Sequence, residues 1–80
     1  MNSWSLYILL CENDFLYTGI ARDVEARFLL HKSGKGAKFT QKNKPIKIVY
    51  TEKFASRSEA SKREWEIKQM TREEKERLLK

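Results

Sequence analysis

The hydrophobic positions from Trp4 to Cys11 alternate only weakly and are nearly all bulky, the pattern of a strand covered on both faces. Glu12-Asn13-Asp14 is a turn cluster, and Phe15 to Ile20 resumes as a second strand, so the pair predicts a hairpin. A three-residue loop there sets Cys11 opposite Phe15, Leu9 opposite Tyr17 and Tyr7 opposite Gly19. Tyr7 and Tyr17 then share one side of the sheet as diagonal neighbours, and Gly19 leaves open space between them. Asp23 is an N-cap with Glu25 in the first turn, and the helix it opens should stop near Lys32 to Gly34. Val24, Arg27 and His31 fall at helical spacing on one face, turned toward the tyrosine-bearing strand. A cation and an imidazole aimed at two phenols suggest an anion site.

From Lys32 to Lys47 the chain carries six lysines and no acid, with two glycines and one proline. This segment reads as a long, mobile, positively charged connection, of the kind that serves function or stays disordered. Ile46 to Lys53 alternates and predicts a third strand, placed at a sheet edge by Pro45 and its lysines. Ser56-Arg57-Ser58-Glu59 has the form of a capping box opening a helix to about Met70. Thr71-Arg72-Glu73-Glu74 repeats the signal and opens a short terminal helix ending at Leu78-Leu79. The expected fold is α+β, a three-stranded antiparallel sheet flanked by helices in the order ββα-β-αα, as a single domain over residues 1–80.

Eighty residues exclude a second core. The lone Cys11, following an apolar run, is expected as a buried reduced thiol in a cytoplasmic protein. One Cys and one His exclude a zinc site built from those ligands. The longest apolar run, Leu6 to Cys11, is too short for a membrane span, and a signal peptide's basic start and cleavage site are absent. A net charge of +6 favours a polyanionic partner. Lys35, Lys38 and Lys42 are candidates for contacts to nucleic-acid phosphates, against the plainer reading of a solvated loop. Trp65 is expected to pack rather than stack on bases.

On the second long helix, Ala60, Glu64, Ile67 and Thr71 form a stripe facing the sheet. A carboxylate in the middle of such a stripe is costly unless paired, hydrogen-bonded or bound to a metal. The plain reading pairs Glu64 with an arginine such as Arg27, or bends it outward.

Ser5-Leu6-Tyr7, then Tyr17-Thr18-Gly19, Arg27 eight residues beyond that glycine, His31, and Arg63-Glu64-Trp65 together resemble the GIY-YIG nuclease superfamily. Among its members, the small stand-alone bacterial proteins are the most similar. The likeness runs from about Trp4 to Lys75. Ser5-Leu6 stands in place of Gly-Ile, Thr18 in place of Ile, and Lys68 and Gln69 stand where some members carry a late asparagine. The resemblance implies a metal-dependent endonuclease hydrolysing phosphodiester bonds in nucleic acid, DNA in the first instance. Repair or processing of branched or single-stranded structures would be its setting. It assigns Tyr7, Tyr17, Arg27, His31 and Glu64 to the catalytic site, Gly19 to the motif glycine, and Glu64 to a Mg²⁺ or Mn²⁺ ion. Tyr7 would pass on the attacking water's proton and Tyr17 orient that water or the phosphate. Arg27 would hold the non-bridging oxygens, and His31 relay a proton or brace Tyr17. Two alternatives stay open: a non-catalytic nucleic-acid-binding module, and a subunit active only with a protein partner that supplies substrate recognition.

Overall fold

The structure, a computed structural model, describes residues 3–80, so the expected domain span reaches two residues outside the described chain. Three antiparallel strands, β1 (Trp4–Cys11), β2 (Leu16–Ala21) and β3 (Pro45–Phe54), form one sheet in the order β2-β1-β3. The centre falls to β1 because only its residues are apolar on both faces. The hairpin register is the one expected, with Tyr7 opposite Gly19 and Leu9 opposite Tyr17. Asn13 and Asp14 turn the chain at φ 64° and 63°, a left-handed conformation that short polar side chains tolerate best.

Each face of β1 has its own core. Tyr7, Leu9 and Cys11 pack with Ala21, Ile48 and two residues of helix α1 (Val24–Lys32), Val24 and Phe28. Leu6 and Ile8 pack on the other face with Ile67 of α3 (Arg57–Lys68), and Leu78 of α4 (Arg72–Leu78) joins them. Asp23 caps α1 through its carboxylate, which accepts from Ala26 N at 3.1 Å, and Gly34 at φ +83° lets the chain leave it.

Four local expectations need correction. The segment from Lys32 to Lys47 is not one long loop: Lys38–Lys42 forms a short helix, α2, with Thr40 fully buried. A fully buried threonine and a phenylalanine stacked on Tyr17 anchor this turn and outweigh the polar composition. At Ser56 the capping box is half formed. The hydroxyl accepts from Glu59 N, and the Glu59 carboxylate takes that hydroxyl's proton instead of a backbone N–H. The full reciprocal box is at Thr71 and Glu74, so Thr71 is an exposed cap of α4 and not part of the α3 stripe, which ends with Lys68. Trp65 does not pack: it is 65% exposed.

Candidate active site

The phenol of Tyr7 is the hub of the site. It is 1% exposed, and its hydroxyl lies 3.0 Å from His31 Nε2, with the imidazole itself fully buried. Gly19 makes this position possible: a methyl group there would stand 2.6 Å from the Tyr7 oxygen. The space beside Gly19 is therefore filled by the hydroxyl and not left open. Tyr17 leans over the pair, its ring centroid 6.4 Å from that of Tyr7 and 5.1 Å from that of His31.

Three residues of α2 and the turn before it complete this wall, and none was singled out from the sequence. Thr40 Oγ1 is 2.7 Å from His31 Nδ1 and donates to the carbonyl of Ala37 at 2.9 Å. Phe39 stacks on Tyr17 at 6.0 Å and meets Phe15 edge-on at 5.7 Å. Gly36 presses on the imidazole so closely that a methyl group there would fall 2.1 Å from Nδ1. The signal was present in the sequence as an aromatic and a threonine amid lysines, but hydrophobic periodicity over five residues is too short to read.

Arg27 lies at the rim of the face it shares with Val24 and His31, and is exposed rather than turned inward. Its charge reaches both buried groups. Burial and the neighbouring Tyr17 push the Tyr7 phenol up to about 12, while Arg27 pulls it back down. Burial, aided by Arg27, lowers the His31 imidazole below its ordinary value. Tyr7 is thus a phenol and His31 a neutral base near neutrality.

Glu64 comes from α3, whose neighbours Ala60 and Ile67 are fully buried in the opposite layer. It is half-buried, its side chain 24% exposed, and pairs with Lys68 at 3.2 Å rather than with Arg27. It is the one acid whose charge acts on Tyr7, raising it further. The route between the layers passes the sheet edge at β2, where Lys68 joins Tyr17, Thr18 and Phe39 around a small cavity. The adjacent Arg63 ties α3 to β3. Its guanidinium grips both Glu52 oxygens on β3, at 2.9 and 3.1 Å, and Tyr50 donates to the same carboxylate.

Outside the phenol cluster, Arg27 lines a cavity of about 570 Å³ with Trp4, Arg22 and Arg57. The guanidinium groups of Arg22 and Arg57 lie 5.3 and 5.5 Å from the Trp4 ring centre. Arg22 and Arg57 carry no motif and were missed in the sequence. Lys35, Lys38 and Lys42 are exposed, with no acid paired to them among the described residues.

The GIY-YIG catalytic domain, as a family profile, matches residues 3–77. The chain belongs to the GIY-YIG family. UPF0213 proteins of Staphylococcus aureus and Staphylococcus epidermidis are similar along their length. The first is 49% identical over 80 residues, covering 100% of this chain and 98% of the relative. The second is 46% identical over 79 residues, covering 99% and 96%. Two solution NMR structures share the fold. The UPF0213 protein BH0048 of Bacillus halodurans has a TM-score of 0.63 at 41% identity, over 98% of this chain and 83% of that one. The protein EF2693 of E. faecalis has 0.66 at 40%, over 99% and 84%. Within this GIY-YIG domain, Tyr7 lies on β1, Tyr17 and Gly19 on β2, Arg27 and His31 on α1, and Glu64 on α3.

Proposed function

We propose that this GIY-YIG protein is a metal-dependent endonuclease that hydrolyses phosphodiester bonds, with DNA as substrate. The observation that carries this reading is convergence on one hydroxyl. Three elements, α1, β2 and α3, bring an imidazole, a second phenol, a guanidinium and a carboxylate to bear on Tyr7 Oη. Packing alone has no use for that set, because every member carries a polar group and both Tyr7 and His31 are buried.

The donor set suits magnesium. Mg²⁺ takes one or two carboxylates and keeps most of its waters, so a single half-buried Glu64 is adequate. Among the described residues no group of three His, Cys, Asp or Glu side chains clusters as a metal cage. When bound beside Glu64, the ion supplies positive charge against the phosphate and the departing oxygen.

This chain's own residues do the rest. Arg27, at the rim, takes the non-bridging oxygens in its planar fork. Its guanidinium also favours the ionised form of the Tyr7 hydroxyl. Tyr7 then takes the proton of the attacking water as it hands its own to His31 Nε2, which lies at hydrogen-bond distance and is neutral. Tyr17, half-buried above the pair, orients the water. Arg22 and Arg57, in the cavity that Arg27 also lines, receive the phosphates on one side of the cut, and Lys38 and Lys42 receive them on the other.

The test is nicking of a panel of labelled duplex, single-stranded and branched DNA with Mg²⁺ or Mn²⁺, for the wild type, Glu64→Ala and Arg27→Ala. The expected result is metal-dependent cleavage lost in both variants, with unchanged circular dichroism. Cleavage at the wild-type rate in both variants overturns the site, and binding without turnover under any divalent ion overturns the enzyme.

A further inference from the structure

The contact between Tyr7 and His31 has a direction, and it is set from outside the motif residues. A threonine hydroxyl carries one proton. The Ala37 carbonyl, 2.9 Å away and three residues back on the same turn, can only accept, whereas His31 Nδ1 can donate or accept. The Thr40 proton is therefore assigned to that carbonyl, which also takes Thr40 N–H and Gln41 N–H at 3.1 Å. Toward His31 Nδ1, at 2.7 Å, the Thr40 oxygen then has only lone pairs to offer. The imidazole nitrogen on that side must bring the hydrogen. A neutral imidazole has one N–H, so Nε2 is left with its lone pair facing the Tyr7 hydroxyl at 3.0 Å. The chain of donors runs one way: Tyr7 O–H to Nε2, Nδ1–H to Thr40 Oγ1, Thr40 O–H to the Ala37 carbonyl.

We infer that Thr40 is a positioning residue of the reaction: by fixing the tautomer of His31, it keeps Nε2 ready to receive the Tyr7 proton. The opposite tautomer would place N–H against the phenol, and Tyr7 would have to accept a hydrogen bond there instead of giving one. Proton transfer from Tyr7 to His31 would then be blocked at its first step. With the tautomer held, the water's O–H bond breaks as its oxygen bonds to phosphorus and the phosphorus–leaving oxygen bond breaks. The water's proton goes to Tyr7 Oη, the former Tyr7 proton goes to Nε2, and the leaving oxygen is protonated by solvent. His31 returns its proton to solvent afterward. Burial protects the arrangement, since Thr40 and His31 are both fully enclosed. Gly36 closes the same side of the ring and leaves Thr40 as the acceptor in reach.

This inference rests on the hydrolytic reading for its consequence, though not for its geometry. His31 is the only histidine in the chain, so its ring nitrogens are unambiguous in a long-range ¹H–¹⁵N correlation spectrum. In the wild type and in Thr40→Ser the expected signature is protonated Nδ1 and bare Nε2. In Thr40→Val, equal in shape but lacking the hydroxyl, the protonated nitrogen should move to Nε2. Turnover at saturating substrate should fall about 10- to 100-fold in Thr40→Val and return in Thr40→Ser. Protonated Nε2 in the wild type overturns the inference, as does a Thr40→Val protein that keeps both its tautomer and its rate. Should Thr40→Val fail to fold, the wild-type and Thr40→Ser spectra decide alone. A wild type with no cleavage on any substrate defeats the nuclease reading, and the tautomer spectra then judge Thr40 separately.

Discussion

Tyr7 and His31 give the site a measurable pH signature. His31 is neutral in the folded protein below the pH at which an unfolded histidine takes up a proton, about 6.5. The unfolded chain then binds more protons than the native one. Stability should fall as pH drops through about 6.5, by at most about 1.4 kcal/mol per pH unit, until the native imidazole itself is protonated. Tyr7 acts at the other end. Its native value of about 12 lies above the unfolded value of 10.0, so the unfolded chain ionises first. Stability should be lost again as pH rises from 10 toward 12, by about 2–3 kcal/mol in all. Urea unfolding across pH 5 to 11.5 checks both arms, and a Tyr7→Phe protein should have a smaller alkaline one, keeping the parts that Cys11 and Tyr50 contribute. A Gly36→Ala change drives a methyl group into the imidazole, and should cost about 1–3 kcal/mol together with the His31–Tyr7 hydrogen bond. Thermal melting and the His31 spectrum read these two effects separately.

Among the elements, α2 and α3 do the positioning. The five residues of α2 are too few to hold a helix alone. Phe39 on Tyr17 and Thr40 on His31 hold it in place, while Lys38 and Lys42 ride on its outer surface. Phe39→Ala should therefore loosen Lys35 to Lys42 without unfolding the sheet, seen as faster amide hydrogen exchange confined to that segment. Helix α3 depends on the Arg63–Glu52 fork. Burial alone would raise the Glu52 carboxyl, but Arg63 and the Tyr50 hydroxyl outweigh it and hold the group below its usual range. Arg63→Met should cost about 1–2 kcal/mol by leaving that carboxylate unpaired, and it should weaken Mn²⁺ broadening at Glu64 by freeing the helix to turn. A combined Glu52→Gln and Arg63→Met protein should recover part of the stability, because the unpaired charge is gone.

On the scale of the whole molecule, the chain carries a net charge of +6. Arg22, Arg27 and Arg57 border one cavity, and the α2 lysines stand on the other side of Tyr17 and His31. Each phosphate neutralised releases condensed counterions, so the salt dependence of binding counts the contacts. Replacing Arg22 and Arg57 together by Gln should lower the slope of log K against log salt by about 2, with little change in turnover at saturation. Fluorescence anisotropy on a labelled oligonucleotide over a range of salt measures that slope. An unaltered slope would remove the two arginines from the substrate path.

The amino-acid sequence by itself determined the strands, the hairpin register and both long helices. Those features rest on local periodicity, caps and turn residues, which act over a few positions. The placement of α2 was not legible, because five residues carry no period and their reason for folding lies on Tyr17 and His31, far along the chain. The same holds for Glu64. Its stripe on α3 suggested burial near the sheet, but its helix packs on the face opposite Tyr7, and only its position near the edge strand lets its charge reach the phenol. The tautomer inferred for His31 rests on tertiary structure alone. A tautomer follows from the acceptor across from Nδ1, and that acceptor belongs to a helix the sequence had presented as a loop.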